Sequence, residues 1–444
     1  MEGFAAIRGG GNNPRSGYLR VAVFQMEWAL QVHTIQLVEA FADMGHGVDV
    51  FLHATDNPGI VGTDPFKRIP HVRVFNSNPV VTDEVADPGD AWINRQPRMV
   101  RGLERIYREV HDMVAFSVGR RGPDSFALTR RLLERGFDSP ASYLFAVGVE
   151  GAGFVWASSA MNGRCPVYYY SLELFLDRHP IYQGWKFRAL KRREHYWLAR
   201  SAGLLIQDRF RATEFLNSVG LPQNHCAIFP LPVSVRRLSY PEIRTLRGRL
   251  GVGEKQILIL YLGNLEPRRG CVELCKLATG FPADWTLVLH GRWMGPASYR
   301  LELERYRNHP RIRFSEEMVP TEHLGDFIAG CDVGLAFYSN HDINHYHTGY
   351  SSEKIALYFS RGIPVVSNNY PSQMEVFDRW KCGMGVDSIH DSLSAVAEML
   401  KERVEYEQGA LAAFHECYDF DACKRVLATV AEHAEARKQT GRED

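Results

Sequence analysis

Short runs of β-branched and aromatic residues alternate with helical patterns along the whole of this 444-residue chain. The first example is the run YLRVAVFQM at 18–26, then the helical pattern VHTIQLVEAFADMGHG, then a second apolar run, VDVFLHA. A strand, a helix and another apolar strand in succession predict a βαβ unit with parallel strands. This alternation limits the fold more than any other feature, because parallel sheets must be covered by helices on both faces.

The alternation forms two series. In the first half, further strands are predicted at 72–75, 142–147, 166–172, 203–208 and 226–232. After a polar, glycine-containing stretch at 239–256, a second series begins with ILILYLG and continues through TLVLHG, IRFSE, VGLAFY and IPVVSN. The sequence therefore predicts an α/β protein with two doubly wound, Rossmann-like domains that face one another across a cleft, where ligands of such sheets bind.

The length agrees with two domains, because single hydrophobic cores stop growing at about 250–300 residues. We expect a disordered N-terminus at 1–18, an N-terminal Rossmann-like domain at 19–238 and a C-terminal Rossmann-like domain at 239–418. The remaining residues, 419–444, are predicted to form a C-terminal helix that packs back toward the N-terminal domain.

Composition excludes several classes of protein. Lysine plus arginine and aspartate plus glutamate number 52 each, so no overall positive field favours nucleic acid. No stretch is long and apolar enough to predict a signal peptide or a membrane-spanning helix. The eight cysteines are scattered without a C-x-x-C pair, which is typical of buried thiols in a reducing compartment. We therefore expect a cytoplasmic protein.

The loop GNLEPRRG at 263–270 follows the strand ILILYLG and leads into a helix. Its glycines let backbone N–H groups face an anion, and Arg268 or Arg269 can supply charge-assisted donors. The loop has neither the Walker pattern nor G-x-G-x-x-G. It is a candidate anion-binding loop, with an ordinary surface loop as the alternative.

The segment HTGYSSEKIALYFSRGIPVV at 347–366 contains a second cationic junction between a loop and a helix. Ser351 or Ser352 can cap the helix, and Gly362 can end it. Lys354 then lies in the first turn, where the helix dipole disfavours a cation. An anion would offset this cost, so two such junctions in one domain indicate a shared diphosphate ligand. A solvated lysine is the alternative.

Five blocks of the second half resemble, in order, the donor-binding domain of GT-B-fold glycosyltransferases of family 4, the group 1 type. They are YLGNLEPRRG, WTLVLHGRW, IRFSEEMVPTEHLGDFIAGCDVGLAFY, SSEKIALYFSRGIPVVSNN and MEVFDRWKCGMGVD. The first half resembles the family less, through its opening βαβ unit. The resemblance implies a hexosyltransferase that uses a UDP- or GDP-sugar, retains the configuration of the sugar and acts in polysaccharide or glycoconjugate biosynthesis.

The resemblance also assigns donor-binding residues. It implies that Arg269 and Lys354 hold the leaving diphosphate, while Asn264 stands where the family has an arginine. The remaining implied donor contacts are Gly263, Arg268, Ser351, Ser352, His290, Gly291 and Glu375.

The glutamates of the family's E-x7-E signature are missing here. The signature positions hold Gly349 and Leu357. Glu353, one position before Lys354, can replace one of these glutamates, or it can only interact with the helix dipole.

No metal or cofactor is predicted, because preformed cations can stabilise the leaving diphosphate without one. The D-x-D at 419–421 is expected at a helix start, with Asp421 as N-cap. His341, His345 and His347 have a spacing that a metal could use. A polar lining of the cleft and a structural loop are the alternatives for these histidines.

Acceptor contacts are predicted in the first half. The loop after the first strand carries Gln25 and Glu27, and His33 opens the next helix. Glu150 and Glu173 follow predicted strands, and either can act as a base if the enzyme inverts, because burial can raise the pKa of a carboxylate.

The stretch 178–200 is basic and contains interleaved aromatic residues. Such a helix can lie on an anionic membrane surface. A peripheral position on the inner face of the cell membrane would suit a lipid-linked or glycan acceptor. An ordinary solvated helix is the alternative.

Two other functions stay open. The same fold occurs in sugar-nucleotide epimerases and in phosphorylases. The missing signature glutamates also permit a nucleotide-sugar-binding protein without turnover.

Overall fold

A computed structural model describes residues 20–26, 32–53, 66, 68–76, 140–176 and 185–440. The predicted disordered N-terminus and Glu27 lie outside these residues. The described chain divides into two compact units. The first contains the residues up to 206, then 212–230 and those from 424 onward, and the second contains 207–211 and 231–423.

The first unit is built on a seven-stranded sheet with the order β3-β2-β1-β4-β5-β6-β7. All neighbouring strands are parallel. The strands are β1 (Arg20–Met26), β2 (Gly47–His53), β3 (Val72–Asn76), β4 (Tyr143–Val149), β5 (Val167–Tyr170), β6 (Gly203–Ile206) and β7 (Ala227–Pro230).

Helices pack on this sheet through an aromatic core. They are α1 (Val32–Asp43), α2 (Glu150–Met161), α3 (Trp185–Leu198) and α4 (Arg209–Ser218). The ring of Phe24 stacks on Phe51 at 4.6 Å, and the edge of Trp156 lies 5.0 Å from Phe24. The central strands β4, β5 and β6 are buried at every residue, which explains their continuous apolar runs.

The second unit contains a six-stranded sheet with the order β10-β9-β8-β11-β12-β13, again parallel throughout. The strands are β8 (Ile257–Leu262), β9 (Trp285–His290), β10 (Ile312–Ser315), β11 (Val333–Ala336), β12 (Val365–Asn368) and β13 (Gly383–Val386). The prediction of two Rossmann-like α/β domains is confirmed.

Helices precede, connect and follow the strands of the second unit, and the last helix continues into the first unit. They are α5 (Leu246–Leu250), α6 (Cys271–Ala278), α7 (Ala297–Glu304), α8 (Leu324–Ile328), α9 (Ile343–Tyr346), α10 (Glu353–Phe359), α11 (Pro371–Trp380), α12 (Ser392–Lys401), α13 (Arg403–Ala413) and α14 (Phe420–Thr440). None of the described helices combines the length and the apolar character needed to cross a membrane.

The last helix, α14, begins in the second unit, and its residues from Lys424 onward belong to the first. There the hydroxyl of Tyr168 lies 2.7 Å from Nδ1 of His433, and the ammonium of Lys438 donates to the carbonyl of Tyr143 at 3.1 Å. Asp421 lies within the first turn of α14, since the helix begins at Phe420.

The unit boundaries differ in detail from those expected from the sequence. The chain enters the second unit at residue 231, whereas the composition change had placed the boundary between 238 and 239. Residues 207–211 belong to the second unit, although the chain before and after them belongs to the first, and we call this segment the 207–211 excursion. The sequence does not predict it, because QDRFR is typical of an ordinary strand-to-helix junction.

A buried ion pair stabilises the sheet of the second unit where β8 and β11 begin. The carboxylate of Asp332 accepts from the guanidinium of Arg247 at 2.7 Å and from the backbone N–H of Leu258 at 2.7 Å. Arg403 lies 2.7 Å from the other carboxylate oxygen. Because both members of the Asp332–Arg247 pair are nearly fully buried, removal of one charge leaves the other without compensation.

Replacing Asp332 with alanine is therefore expected to destabilise the second unit by about 3 kcal/mol. The measurement is the midpoint of denaturant unfolding. Glu416→Ala is the matched control, because Glu416 pairs with Arg379 on the surface, where ion pairs contribute little. Equal midpoints for the two variants would contradict the assigned role of the buried pair.

Candidate functional site

The strand order of the second sheet reverses between β8 and β11. At such a switch point the loops that follow the two strands lie side by side, and ligands of open parallel sheets bind there. The loop after β8 is the predicted anion loop at 263–270. The segment after β11 leads through the histidines at 341–347 to the start of α10.

At this edge of the sheet two positions, Gly263 and Gly291, have backbone and no side chain, and we call this pair the glycine floor. Gly263 and Gly291 have φ values of +136° and +152°, which favour glycine. A Cβ atom on Gly291 would lie 1.8 Å from the carbonyl oxygen of Gly263. The N–H of Gly263 in turn donates to the carbonyl of His290 at 2.9 Å. The two predicted glycines therefore let the loops after β8 and β9 pass in contact.

Lys354 extends from the first turn of α10 to this floor. Its ammonium lies 3.3 Å from the position that a Cβ on Gly263 would occupy. The same ammonium is 4.5 Å from the ring centroid of Tyr261 and 5.4 Å from that of Tyr338. Burial, and secondly the positive charge of Arg269, lower the pKa of Lys354 to about 7.

Arg269 ends the short 3₁₀ turn at Pro267–Arg269 and approaches the same ring. Its guanidinium carbon is 5.3 Å from the centroid of Tyr338. Its Nε donates to Glu266 at 3.0 Å, and Nη2 lies 3.5 Å from Nε2 of His345. The other terminal nitrogen, Nη1, is buried and has no hydrogen-bond partner among the described residues. The two cations thus lie near the same ring, that of Tyr338, and Nη1 of Arg269 can still donate a hydrogen bond.

The two serines before α10 have separate structural roles. Ser352 is the N-cap, since its hydroxyl accepts from the N–H of Ile355 at 3.2 Å. That hydroxyl also bonds to the hydroxyl of Tyr338. Ser351 donates to the carbonyl of His347 at 2.9 Å. These bonds fix the start of α10 and hold the shared ring beneath the two cations.

The other predicted donor residues lie around this centre. Asn264 and Arg268 are exposed on the loop after β8. The imidazole of His290 is buried, with Nδ1 at 2.9 Å from the hydroxyl of Ser315, and burial lowers its pKa. Glu353 is exposed in the first turn of α10.

Glu375 lies in α11 and already has two partners. One carboxylate oxygen accepts from the hydroxyl of Tyr350 at 3.0 Å, and the other accepts from Nε of Arg209 at 2.9 Å. Arg209 belongs to the excursion at 207–211, so this segment supplies part of the surroundings of Glu375.

The missing signature glutamates have a structural reason at the first position. A Cβ on Gly349 would lie 2.1 Å from the carbonyl oxygen of Ser372, so no side chain fits there. Leu357 instead packs against the apolar core of the second unit. The backbone of Gly349 is held on both sides, by Ser372 at 3.0 Å and by the hydroxyl of Tyr418 at 2.7 Å.

In the first unit, Glu150 and Glu173 follow adjacent parallel strands, β4 and β5. Glu150 is buried, has φ of +55° and accepts through Oε1 from the backbone N–H groups of Leu172 and Glu173, at 3.0 and 2.8 Å. Glu173 is exposed. Gln25 is buried near the end of β1. The structure thus separates a carboxylate that holds a loop from one that faces solvent.

His33 is half-buried in the first turn of α1. In the second unit, His345 also bonds to Ser339, at 3.3 Å, and His341 is exposed. Within the described parts of the chain, no group of three or more histidine, cysteine, aspartate or glutamate side chains is arranged to hold a metal ion.

Sequence reasoning missed Tyr261, Tyr338 and Arg211. Tyr338 follows β11 at the end of VGLAFY, so an aromatic residue just past a strand at the switch point was the available signal. Tyr261 lies inside β8, where the apolar pattern predicts only a residue of the hydrophobic core. Arg211 is buried against the 344–351 segment, and nothing in its local sequence distinguishes it from a solvated helix residue.

Residues 296–416 match the family model described as Glucosyltransferase 3-like, C-terminal domain. No curated protein matches the chain. Among solved structures, HepE from Anabaena in complex with UDP has 14% sequence identity and a TM-score of 0.62, with 93% of this chain and 100% of that chain covered.

Sucrose-phosphate synthase from Thermosynechococcus elongatus is also 14% identical, with a TM-score of 0.60 and coverage of 94% and 100%. WaaG, a glycosyltransferase of lipopolysaccharide biosynthesis, is 13% identical, with a TM-score of 0.53 and coverage of 93% and 99%. At these identities the structures establish the fold alone. The chain has the GT-B fold, and residues 296–416 of its second unit are similar to a glucosyltransferase-like domain.

Proposed function

We propose that the chain transfers a sugar from a nucleotide-diphosphate sugar to an acceptor. The observation that carries this proposal is the convergence of Arg269 and Lys354 on Tyr338, beside the glycine floor of the switch point. Burial, and secondly repulsion by the charge of Arg269, lower the pKa of Lys354. A diphosphate between them would offset the repulsion and accept the spare donor of Arg269.

The chemistry follows from the same charges. When the bond between the sugar and the phosphate breaks, negative charge develops on the diphosphate and positive character on the anomeric carbon. Preformed cations stabilise the first of these in the transition state. Arg269 and Lys354 can supply this stabilisation themselves, so we propose transfer that does not depend on a metal.

We propose a uridine nucleotide as donor, because HepE, which has the same fold, was crystallised with UDP and with UDP-glucose. Retention of configuration is proposed from the resemblance to family 4. Because Gly349 and Leu357 replace the signature glutamates, contacts to the sugar must come from other residues.

A nucleotide-sugar-binding protein without turnover is the second candidate, and the sterically excluded side chain at Gly349 favours it. Glycosyl transfer remains the first candidate, because residues 296–416 match a family model described as glucosyltransferase-like. The two are distinguished by turnover of the donor.

We propose that the reaction takes place in the cytoplasm, because all eight cysteines are free thiols, as is typical of a reducing compartment.

Alanine in place of Lys354 or Arg269 is expected to weaken binding of UDP by about 10- to 100-fold, because a charged hydrogen bond to the diphosphate is lost. Isothermal calorimetry measures this, after thermal-shift screening of the wild-type protein against UDP, GDP, ADP, TDP and CMP. Binding by the wild type should be unaffected by a chelator. Lys276→Ala is the control, because Lys276 is an exposed cation on α6.

Wild-type affinity in both variants would contradict the diphosphate assignment. Failure of the wild type to bind any nucleoside diphosphate would contradict the proposed function. Nucleotide binding without hydrolysis or transfer of the donor, across a set of acceptors, would favour the binding protein.

Binding of UDP-glucose should weaken as the pH rises above about 7. The free protein holds Lys354 with a pKa of about 7, and a bound diphosphate raises that pKa. Affinity is therefore highest below pH 7, where the lysine is already charged, and falls by up to about tenfold per pH unit above it. UDP-glucose is the probe because its diphosphate diester does not titrate in this range.

Calorimetry at pH 8 in buffers of different ionisation enthalpy should show proton uptake on binding. Lys354→Ala should abolish both the uptake and the pH dependence, whereas Lys276→Ala should retain them. Uptake that persists in Lys354→Ala would show that another group titrates.

We also propose that α3 contacts an anionic membrane surface, which would bring the enzyme to a lipid-linked or glycan acceptor. Arg188, Arg192 and Tyr196 are exposed at four-residue spacing, so they share one helix face. The guanidinium of Arg200 lies 3.9 Å from the ring of Tyr196. Lys191, which also belongs to the basic stretch 178–200, is buried and paired with Glu194.

The buried side of α3 gives the surface a fixed orientation. Lys191 lies 2.7 Å from Glu194, which also accepts from the hydroxyl of Tyr169 at 2.7 Å. The opposite, basic face is therefore presented to solvent.

The double variant Arg188→Ala/Arg192→Ala is expected to lose about 2 kcal/mol of binding to phosphatidylserine vesicles. Co-sedimentation measures this, with Lys401→Ala on the second unit as control. Equal binding by all three proteins would exclude α3 as the membrane-contacting surface.

A further inference from the structure

The segment between β11 and α10 is rich in polar side chains, and the structure accounts for nearly all of them. Asn344 accepts from Arg211 at 2.9 Å, and Thr348 accepts from Gln373 at 2.5 Å. His345 bonds to Ser339 and Arg269 through its two nitrogens. Ser351 donates to the carbonyl of His347, and Ser352 caps α10.

His347 is different. The residue is 4% exposed, and neither Nδ1 nor Nε2 of its ring has a hydrogen-bond partner among the described residues. Its ring faces that of Phe210 at 5.9 Å with an interplanar angle of 12°, and the ring of Tyr346 meets it edge-on at 5.0 Å. A buried imidazole without partners costs free energy, so its retention here needs an explanation.

The backbone of His347 is fixed by a second buried residue. Arg211 is 1% exposed and donates through Nη1 to the carbonyl of His347 and to the hydroxyl of Ser351, both at 3.3 Å. Ser351 donates to the same carbonyl at 2.9 Å. These contacts fix the backbone carbonyl of His347 and use neither ring nitrogen.

This segment is also connected directly to the two cations. His345, two residues before His347, reaches Arg269, and Ser352, five residues after it, bonds to the ring that both cations share. Gly349 lies between them, where the family signature places a sugar-binding glutamate and where no side chain fits. The neighbouring imidazole of His347 is a buried polar group of this segment whose ring nitrogens have no hydrogen-bond partner among the described residues.

We propose that His347 binds a hydroxyl group of the donor sugar, through one ring nitrogen or both, and so contributes to selection of the sugar in place of the absent glutamate. This inference rests on the proposed function. It concerns the sugar alone, whereas Arg269 and Lys354 concern the diphosphate, so the two can be tested apart.

The protonation state of the imidazole agrees with this role. Burial, and secondly the charge of Arg211, lower the pKa of His347 to about 4. The ring is therefore neutral at neutral pH, with one nitrogen that donates and one that accepts. A sugar hydroxyl likewise donates and accepts, so it is complementary to such a ring.

The test compares the affinity for UDP-glucose with that for UDP in the wild type and in His347→Phe. Phenylalanine keeps an aromatic ring opposite Phe210 and removes both nitrogens. We expect UDP to bind as in the wild type, while the advantage of UDP-glucose over UDP falls by about tenfold. His341→Phe is the matched control, because His341 is an exposed histidine of the same segment. UDP-galactose and UDP-N-acetylglucosamine extend the comparison to other sugars.

Deoxy analogues of UDP-glucose then locate the contact. One analogue should bind less tightly than UDP-glucose to the wild type and equally well to His347→Phe, because the hydroxyl and the imidazole act as a pair. A purely structural role for His347 would instead lower affinity for UDP and every analogue alike.

An unchanged advantage of UDP-glucose in His347→Phe would overturn the proposal, as would a wild type that binds UDP and all three UDP-sugars equally. Failure of the wild type to bind UDP at all would overturn the proposed function and this inference with it. If His347→Phe does not fold, nitrogen NMR of the wild type serves instead. The ring resonances of His347 should move on addition of UDP-glucose and not on addition of UDP, and movement with neither would contradict the proposal.

Discussion

Two positive charges share one aromatic ring, and the properties of the second unit follow from this arrangement. The guanidinium of Arg269 and the ammonium of Lys354 lie 5.3 and 5.4 Å from the centroid of Tyr338. Ser352 holds that ring through its hydroxyl while capping α10, and Gly263 leaves room for the ammonium. The fold thus holds two like charges together at the place where a parallel sheet binds ligands.

In the segment after β11, close packing at Gly349 determines which residues can bind a ligand. Gly349 packs against Ser372 too closely for any side chain, so the first signature glutamate could not be present without a rearrangement of α11. Arg269 and Lys354, which we propose to bind the diphosphate, are not involved in this close contact. In the proposed site the sugar contact is therefore assigned to another residue, the buried His347, which lies two residues before Gly349.

The fold could be predicted from the sequence, and so could the positions of Lys354 at the start of a helix and of Arg269 in the loop after β8, because these features leave local signals. Alternating strands and helices fix the parallel sheets, and a lysine placed against a helix dipole marks Lys354. The burial of Arg211 and of His347 could not be predicted, since it depends on contacts between segments distant in the chain. Arg211, for example, meets Asn344 only because residues 207–211 join the second unit.

The central claim is that Arg269 and Lys354 together hold the diphosphate of a nucleotide sugar. A crystal structure of the chain with UDP tests it most directly. The account predicts phosphate oxygens within hydrogen-bonding distance of Nζ of Lys354 and of the guanidinium of Arg269, above the glycine floor. A diphosphate bound away from both cations, with Lys354 still over the rings of Tyr261 and Tyr338, would contradict it.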